Sequence, residues 1–146
     1  MSNINDGLKL TGKLSIALNG KVVQEIDNLV TTAGKGFVAS SMLKTTSNSP
    51  AAMTHMAVGT GTTDPAAGDT ALQSESGRGA LTSSAVSAAV VTYVATFPAG
   101  TATAALTEAG ILNASSSGTL LCRTEFAVVN KGSSDAMTIT WTVTVS

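Results

Sequence analysis

The sequence predicts a mainly β protein, an antiparallel β-sandwich of roughly seven to nine short strands with one short helix. Threonine and serine are abundant, with 22 and 17 copies among 146 residues, whereas Asp, Glu, Lys and Arg together make up only 12%. β-Branched threonine favours strands, and few charged side chains remain for exposed helices. Several segments also alternate apolar and polar residues with the two-residue period of a strand.

The first predicted strand lies near the N-terminus, where apolar residues alternate and Gly12 interrupts them. Asn19-Gly20 follows as a two-residue turn, because both residues tolerate a positive φ. The segment "KVVQEIDNLV" after the turn then predicts a second strand. The alternating apolar residues of the first strand are Leu8, Leu10, Leu14, Ile16 and Leu18.

One segment, Thr32–Lys44, is predicted to be helical. Thr32 is a suitable N-cap, and Val38 and Met42 have the spacing of neighbours on one helix face. Two glycines within the segment weaken it, so we expect a short helix that depends on tertiary packing.

A further strand is predicted in "AAVVTYVATFP", where two alternating sets of residues end at Pro98. One face of this strand carries Val90, Thr92, Val94 and Thr96, and the other carries Val91, Tyr93, Ala95 and Phe97.

The C-terminus is predicted to form a long antiparallel hairpin, with Asn130–Ser134 as its loop. Its second strand, in "DAMTITWTVTVS", has an apolar face that alternates strictly with threonines. That apolar face consists of Met137, Ile139, Trp141, Val143 and Val145. The first strand, in "TLLCRTEFAVV", places Leu120, Cys122, Thr124, Phe126 and Val128 on one face.

The whole chain, residues 1–146, is predicted to be a single domain without internal repeats. A net charge of −1 with scattered Lys and Arg argues against nucleic acid as a partner. A single cysteine excludes an intrachain disulfide framework. No signal peptide and no membrane-spanning segment are expected, because the sequence has neither a basic start followed by an apolar run nor a long apolar window.

The glycine-rich stretch "AVGTGTTDPAAGDT", Ala57–Thr70, invites comparison with phosphate-binding loops. Asp64 stands where a dinucleotide fingerprint needs its third glycine, and no Lys-Ser or Lys-Thr follows a glycine as in a Walker loop. A calcium loop also fails on spacing. We interpret the stretch as a strand end followed by a connector, with Asp64-Pro65 beginning a turn and Asp69-Thr70 capping the next one.

No catalytic, cofactor-binding or metal-binding residue is predicted. His55 is the only histidine, so neither a Ser-His-Asp triad nor a multi-histidine metal site can be assembled. We expect His55 to be half-buried or at an interface, on the strand face opposite to that of Met56 and Val58. Cys122 is expected to be a buried core thiol.

Four charged residues stand in apolar or glycine-rich surroundings and are predicted to form structural ion pairs: Glu75, Arg78, Glu108 and Arg123. Two of them are carboxylates, which leaves acid–base catalysis and contact with a neighbouring subunit as alternatives. A carbohydrate- or receptor-binding module would need surface aromatics, and the two large candidates, Tyr93 and Trp141, both occupy strand-face positions.

An ordered set of phrases resembles small virion structural proteins of tailed bacteriophages, of the capsid cement, head-fibre or tail-fibre-like kind. The phrases are "MTHMAVGTGTTDPAAGDTALQSESGR", "VTYVATFPAG", "LTEAGILNA" and "GTLLCRTEFAVVNKGSSDAMTITWTVTVS", and "GKVVQEIDNLVTTAGKGFVAS" fits the same pattern. The resemblance covers Met53 to Ser146. The resemblance implies loop and strand features, and not a site, at Gly59, Gly61, Pro65 and Thr107–Gly110. It carries over no catalytic residue.

The resemblance implies a jelly-roll-like sandwich that binds the major capsid protein and reinforces the head shell. It implies a location on the capsid exterior of the virion, after synthesis in the host cytoplasm, and self-association as a dimer or trimer. A tail, neck or fibre component is the alternative. Contact with the shell is expected through flexible segments, which are Met1–Gly7, Lys44–Ala52 and Gly59–Asp69.

Overall fold

The computed structural model describes residues 7–43 and 49–146, so the predicted contact segments Met1–Gly7 and Lys44–Ala52 lie partly outside the described residues. The described chain is mainly β with a single helix, as predicted. Its elements are β1 (Leu10–Leu18), β2 (Lys21–Val30), α1 (Thr32–Ser41), β3 (His55–Gly59), β4 (Glu75–Ala80), β5 (Ser83–Ser87), β6 (Val90–Phe97), β7 (Ala104–Leu112), β8 (Leu120–Lys131) and β9 (Met137–Val145).

All nine strands belong to one antiparallel sheet in the order β4-β3-β7-β8-β2-β1-β9-β6-β5. Strand β2 joins the two halves of this sheet, because it pairs with β1 along most of its length and with β8 only at Leu29 and Val30. The outermost strands β4 and β5 are nevertheless connected by only Leu81 and Thr82. The two edges of the sheet therefore come together at this connection, and the sheet curves into a half-barrel.

The core fills the concave side of the curved sheet. Strands from both halves contribute to one cluster of buried side chains, with Trp141 and Phe97 as its largest members. Helix α1 packs on this cluster through Phe37. Apart from these, the cluster includes Leu14, Ile16, Met56, Val58, Tyr93, Leu106, Ile111, Cys122, Phe126, Met137, Ile139 and Val143.

Strand β9 alternates as predicted, but the C-terminal hairpin is wrong. β9 pairs with β1 and β6, whereas β8 pairs with β7 and β2. The connection from Lys131 to Met137 therefore crosses from one half of the sheet to the other. Alternation specifies which residues face the core and says nothing about which strand is the hydrogen-bonded neighbour.

The face predicted for β8 is wrong at both ends. Leu120 lies in a separate buried cluster from Cys122, next to a register shift between Ile111 and Leu112. At the other end, Val128 is 52% exposed and Val129 is 5% exposed. The register with β7 shifts in this region, since Leu106 pairs with Val129 and Glu108 with Glu125. Thr107 of β7 thus lies opposite three residues of β8, and the alternation changes phase within this irregularity, where residues 127 and 128 are both exposed.

The predicted turn between β1 and β2 is confirmed, with φ of 50° at Asn19 and 83° at Gly20. Helix α1 begins at Thr32 as predicted, but its N-cap is Thr31 and not Thr32, since the Thr31 hydroxyl accepts a hydrogen bond of 2.9 Å from the N–H of Gly34. The helix ends at Ser41, before the predicted Lys44. Gly34 is required here, since a Cβ at this position would lie 2.0 Å from the carbonyl oxygen of Leu121.

Candidate functional site

The glycine-rich stretch continues from β3 into a connector, residues 60–74, that covers the convex side of β3, β7 and β8. Leu72 of the connector packs in a second buried cluster with Ala57, Leu112 and Leu120. The chain approaches closely at Gly61, where a Cβ would lie 2.2 Å from the Oε2 atom of Glu108. The prediction of a strand end followed by a connector is confirmed, and the small residues allow the connector to lie against the sheet.

The connector surrounds the carboxylate of Glu108, which has no exposed surface. The backbone N–H groups of Gly61 and Ser74 donate to its Oε2 atom, each at 2.7 Å. The N–H of Gln73 donates to Oε1 at 2.8 Å. Backbone amides in such a glycine-rich loop suit an anion, and here the anion is the protein's own side chain.

Arg123 holds the other side of the same network and is 2% exposed. Its Nε donates to Oε1 of Glu108 at 3.0 Å, its Nη1 to Oδ2 of Asp69 at 3.0 Å, and its Nη2 to the carbonyl of Thr63 at 3.0 Å. The guanidinium therefore links the sheet to two points on the connector. Every nitrogen of its fork has an acceptor, which is the condition for burying an arginine at acceptable cost.

The predicted cap at Asp69-Thr70 is wrong, because Asp69 acts on the residues before it. Its Oδ2 accepts from the N–H of Ala66 at 2.9 Å, and its own N–H donates to the carbonyl of Ala66 at 3.0 Å. The turn thus spans Ala66–Asp69 and not the segment that begins at Asp64-Pro65. This turn presents the Asp69 carboxylate to Arg123.

A second ion pair joins Arg78 to Glu75 on the edge strand β4. The contacts are bidentate, at 2.7 Å from Nη2 to Oε1 and 3.0 Å from Nε to Oε2. Nη1 of Arg78 also donates to the carbonyls of Ala114 and Ser117, both at 2.9 Å. The four predicted charges therefore form two structural ion pairs, as expected.

His55 and Cys122 lie where the sequence places them. His55 is partly buried, its Nδ1 is 2.8 Å from the hydroxyl of Thr54, and its neighbours Met56 and Val58 are in the core. Cys122 is fully buried, and burial raises the pKa of its thiol far above the ordinary value. In residues 7–43 and 49–146, no group of three or more His, Cys, Asp or Glu side chains is arranged to hold a metal ion.

The two large aromatic candidates for sugar stacking face the core. Trp141 has no exposed surface, and its indole N–H donates to Oδ1 of Asn28 at 2.8 Å. Tyr93 is 9% exposed. The Trp141 ring is closed to a ligand, and Tyr93 reaches the surface only where it lines a groove with Phe37 and Met53.

Sequence reasoning missed one surface, which lies at the β5 edge of the sheet. No Asp, Glu, Lys or Arg occurs in residues 79–107 or 136–146, the two ranges that contain β5, β6 and β9. We call the surface formed by these three strands the uncharged edge. A simple scan for gaps between charged residues would have found it.

The part of the chain that the structure describes contains no helix of the length and apolarity needed to cross a membrane. The chain matches no protein-family model, no curated protein and no solved structure.

Proposed function

We propose that this chain is a capsid cement or decoration protein of a tailed bacteriophage, which binds the major capsid protein and stabilises the head shell. The observation that carries the proposal is that the best candidates for chemistry, Glu108 and Arg123, are saturated by structural hydrogen bonds, while the uncharged edge ends in a fully exposed strand, β5. A subunit that assembles with others needs a rigid frame, here the network of Glu108 and Arg123 with the connector, together with surface that can be buried without burying charge.

The phrases that carry the phage resemblance coincide with this frame. Gly61 and Asp69 lie in the first phrase, Glu108 lies in "LTEAGILNA", and Arg123 lies in "GTLLCRTEF". All four belong to the network that fixes the connector. The phrases that carry the resemblance thus include the residues that fix the connector, which supports a structural role.

We also propose that the curved sheet acts as a two-layered, jelly-roll-like sandwich. Both halves of the sheet contribute to one core, and β4 and β5 meet through a two-residue connection. A body of this kind holds loops at fixed positions around a packed interior.

The connector is the surface that we propose contacts the shell. Residues 62–64 and 66–68 are exposed, while Gly61, Gln73 and Ser74 anchor the connector from beneath. The sequence expectation treated Gly59–Asp69 as a flexible contact, whereas an anchored segment loses less conformational entropy when it binds. Many copies on one shell then add weak contacts together.

Co-sedimentation with capsids of the parent phage that lack this protein tests the proposal. We expect saturable binding, with reversal of charge at the exposed Asp64 (Asp64→Lys) weakening it about tenfold or more. The control Ser133→Lys adds a charge at the exposed β8–β9 connection and should leave binding unchanged. Absence of saturable binding by the unmodified protein would contradict the proposal.

A further inference from the structure

Strand β5 forms one end of the nine-stranded sheet, and all five of its residues are exposed. It pairs with β6 on one side, and no described residue continues the sheet on the other side. An edge of this kind presents unpaired backbone N–H and C=O groups, so it is a template for another strand.

The two edges of the sheet differ in their protection. Strand β4 carries Glu75 and Arg78, whose ion pair places charge at that edge. Strand β5, with the sequence SSAVS, has no charge and no proline, and its register with β6 runs from Ser83 to Ser87 without a shift. Charges, prolines and bulges are three of the devices that prevent strand addition, and β5 has none of them over its five residues.

The surroundings of β5 favour an identical surface as the occupant. The 29 residues from Gly79 to Thr107 contain no Asp, Glu, Lys or Arg. Two copies that meet here bring no like charges together and bury no charge. A strongly acidic or basic partner would find no complementary charge along this stretch.

An apolar groove lies beside the edge and has room for a side chain from a second copy. It has a volume of about 300 Å³ and is lined by residues that include Phe37, Met53, Ser84 and Tyr93. Val86, which is 71% exposed, borders the same groove and is paired with Val91 in the sheet.

We propose that β5 pairs with β5 of a second copy, antiparallel around a two-fold axis at Ala85, so that one sheet continues through both subunits. This register places Ser84 of each copy opposite Val86 of the other, a small residue against a large one. Each Val86 then covers the groove of the other copy next to Ser84. The pairing is a property of the isolated chain and does not depend on the proposed role in a capsid.

Sedimentation velocity of the full chain over a range of concentrations tests the pairing. We expect the unmodified protein to form a dimer with a dissociation constant of about 100 µM or lower. Ala85→Glu places two carboxylates opposite each other and should raise the dimer dissociation constant about tenfold or more, and Ala85→Lys should do the same. An equal mixture of the two variants should restore the dimer, because each Glu then faces a Lys.

Val128→Glu is the control, because Val128, like Ala85, is exposed on a strand but lies on β8, away from this edge. Its dimer should be as stable as that of the unmodified protein. A monomer at every concentration, a trimer, or a dimer that survives both charge substitutions at Ala85 would overturn the proposal.

Disulfide trapping measures the register directly. Ala85→Cys should give a covalent dimer on oxidation, because residues opposite each other in antiparallel strands have Cα atoms about 5 Å apart. Ser87→Cys should not, since the two copies of residue 87 would lie about 13 Å apart in this register. The native Cys122 is fully buried and does not compete. Efficient trapping of Ser87→Cys but not of Ala85→Cys would refute the two-fold at Ala85.

Discussion

Replacement of Glu108 by glutamine removes the acceptor on which the connector depends and keeps the shape of the side chain. Each carboxylate oxygen accepts two hydrogen bonds, from Gly61 and Ser74 on one oxygen and from Gln73 and Arg123 on the other. A glutamine has only one acceptor oxygen, so its NH₂ group must face two donors whichever way the amide is turned.

The expected loss of stability is large because these groups are buried. Two backbone or side-chain donors without an acceptor cost about 1–3 kcal/mol each, and removal of one partner from a buried ion pair costs about 3–5 kcal/mol. These contributions overlap, so we expect Glu108→Gln to lower the free energy of unfolding by about 3–5 kcal/mol in urea denaturation. Hydrogen exchange should also rise at the amides of Gly61, Gln73 and Ser74.

Glu75→Gln is the matched control, because Glu75 also pairs with an arginine but its side chain is 33% exposed. A pair that reaches solvent contributes about 0–1 kcal/mol, so this variant should stay close to the unmodified protein. The reasoning is refuted if Glu108→Gln costs less than Glu75→Gln, or if the connector amides exchange no faster.

Three further predictions concern single residues. Gly61→Ala should destabilise by about 1–3 kcal/mol, because the new Cβ has no space beneath the connector. Trp141→Phe should cost about 2 kcal/mol, because it leaves Oδ1 of Asn28 without its indole donor. The hydrogen bond from Asn19 and one from a backbone N–H hold the pKa of Asp135 below its usual 3.8. The ionised Asp135 therefore stabilises the fold above pH 3.8, and this contribution is lost as the pH falls through the folded-state pKa. Asp135→Asn should remove the part of the acid dependence of stability that comes from this residue.

Each of the three has its own control measurement. Gly68→Ala lies in the same connector with open space around its Cβ, and it should leave the urea midpoint unchanged while Gly61→Ala lowers it. A double-mutant cycle with Asn28→Ala should show coupling with Trp141→Phe; additive effects would contradict the hydrogen bond. For Asp135, equal pH dependence of the variant and the unmodified protein below pH 3.8 would contradict the assignment.

Local patterns predicted individual strands well because burial on one face determines their alternation. Met137, Ile139 and Trp141 identify β9 without any tertiary information. The hydrogen-bonded neighbour of β9 could not be predicted in this way, since β1 lies more than 100 residues earlier in the sequence. Val128 was assigned to the wrong face because the register shift that reverses the alternation depends on β7.

The ion pairs could be predicted because charged residues in apolar surroundings need partners. Glu108 and Arg123 met that condition. Asp69 and the amide donors of the connector could not be predicted, because their position depends on the path of the connector over the sheet. The same glycines that resemble a phosphate loop in sequence are used to enclose a carboxylate.

Cryo-electron microscopy of the parent virion, with the chain fitted into the map, tests the central claim most directly. We predict density for this fold on the outer surface of the head shell, with the exposed residues 62–64 and 66–68 of the connector against the major capsid protein. Density for the fold at the tail, neck or fibres, with none on the shell, would contradict the cement role and favour a tail component.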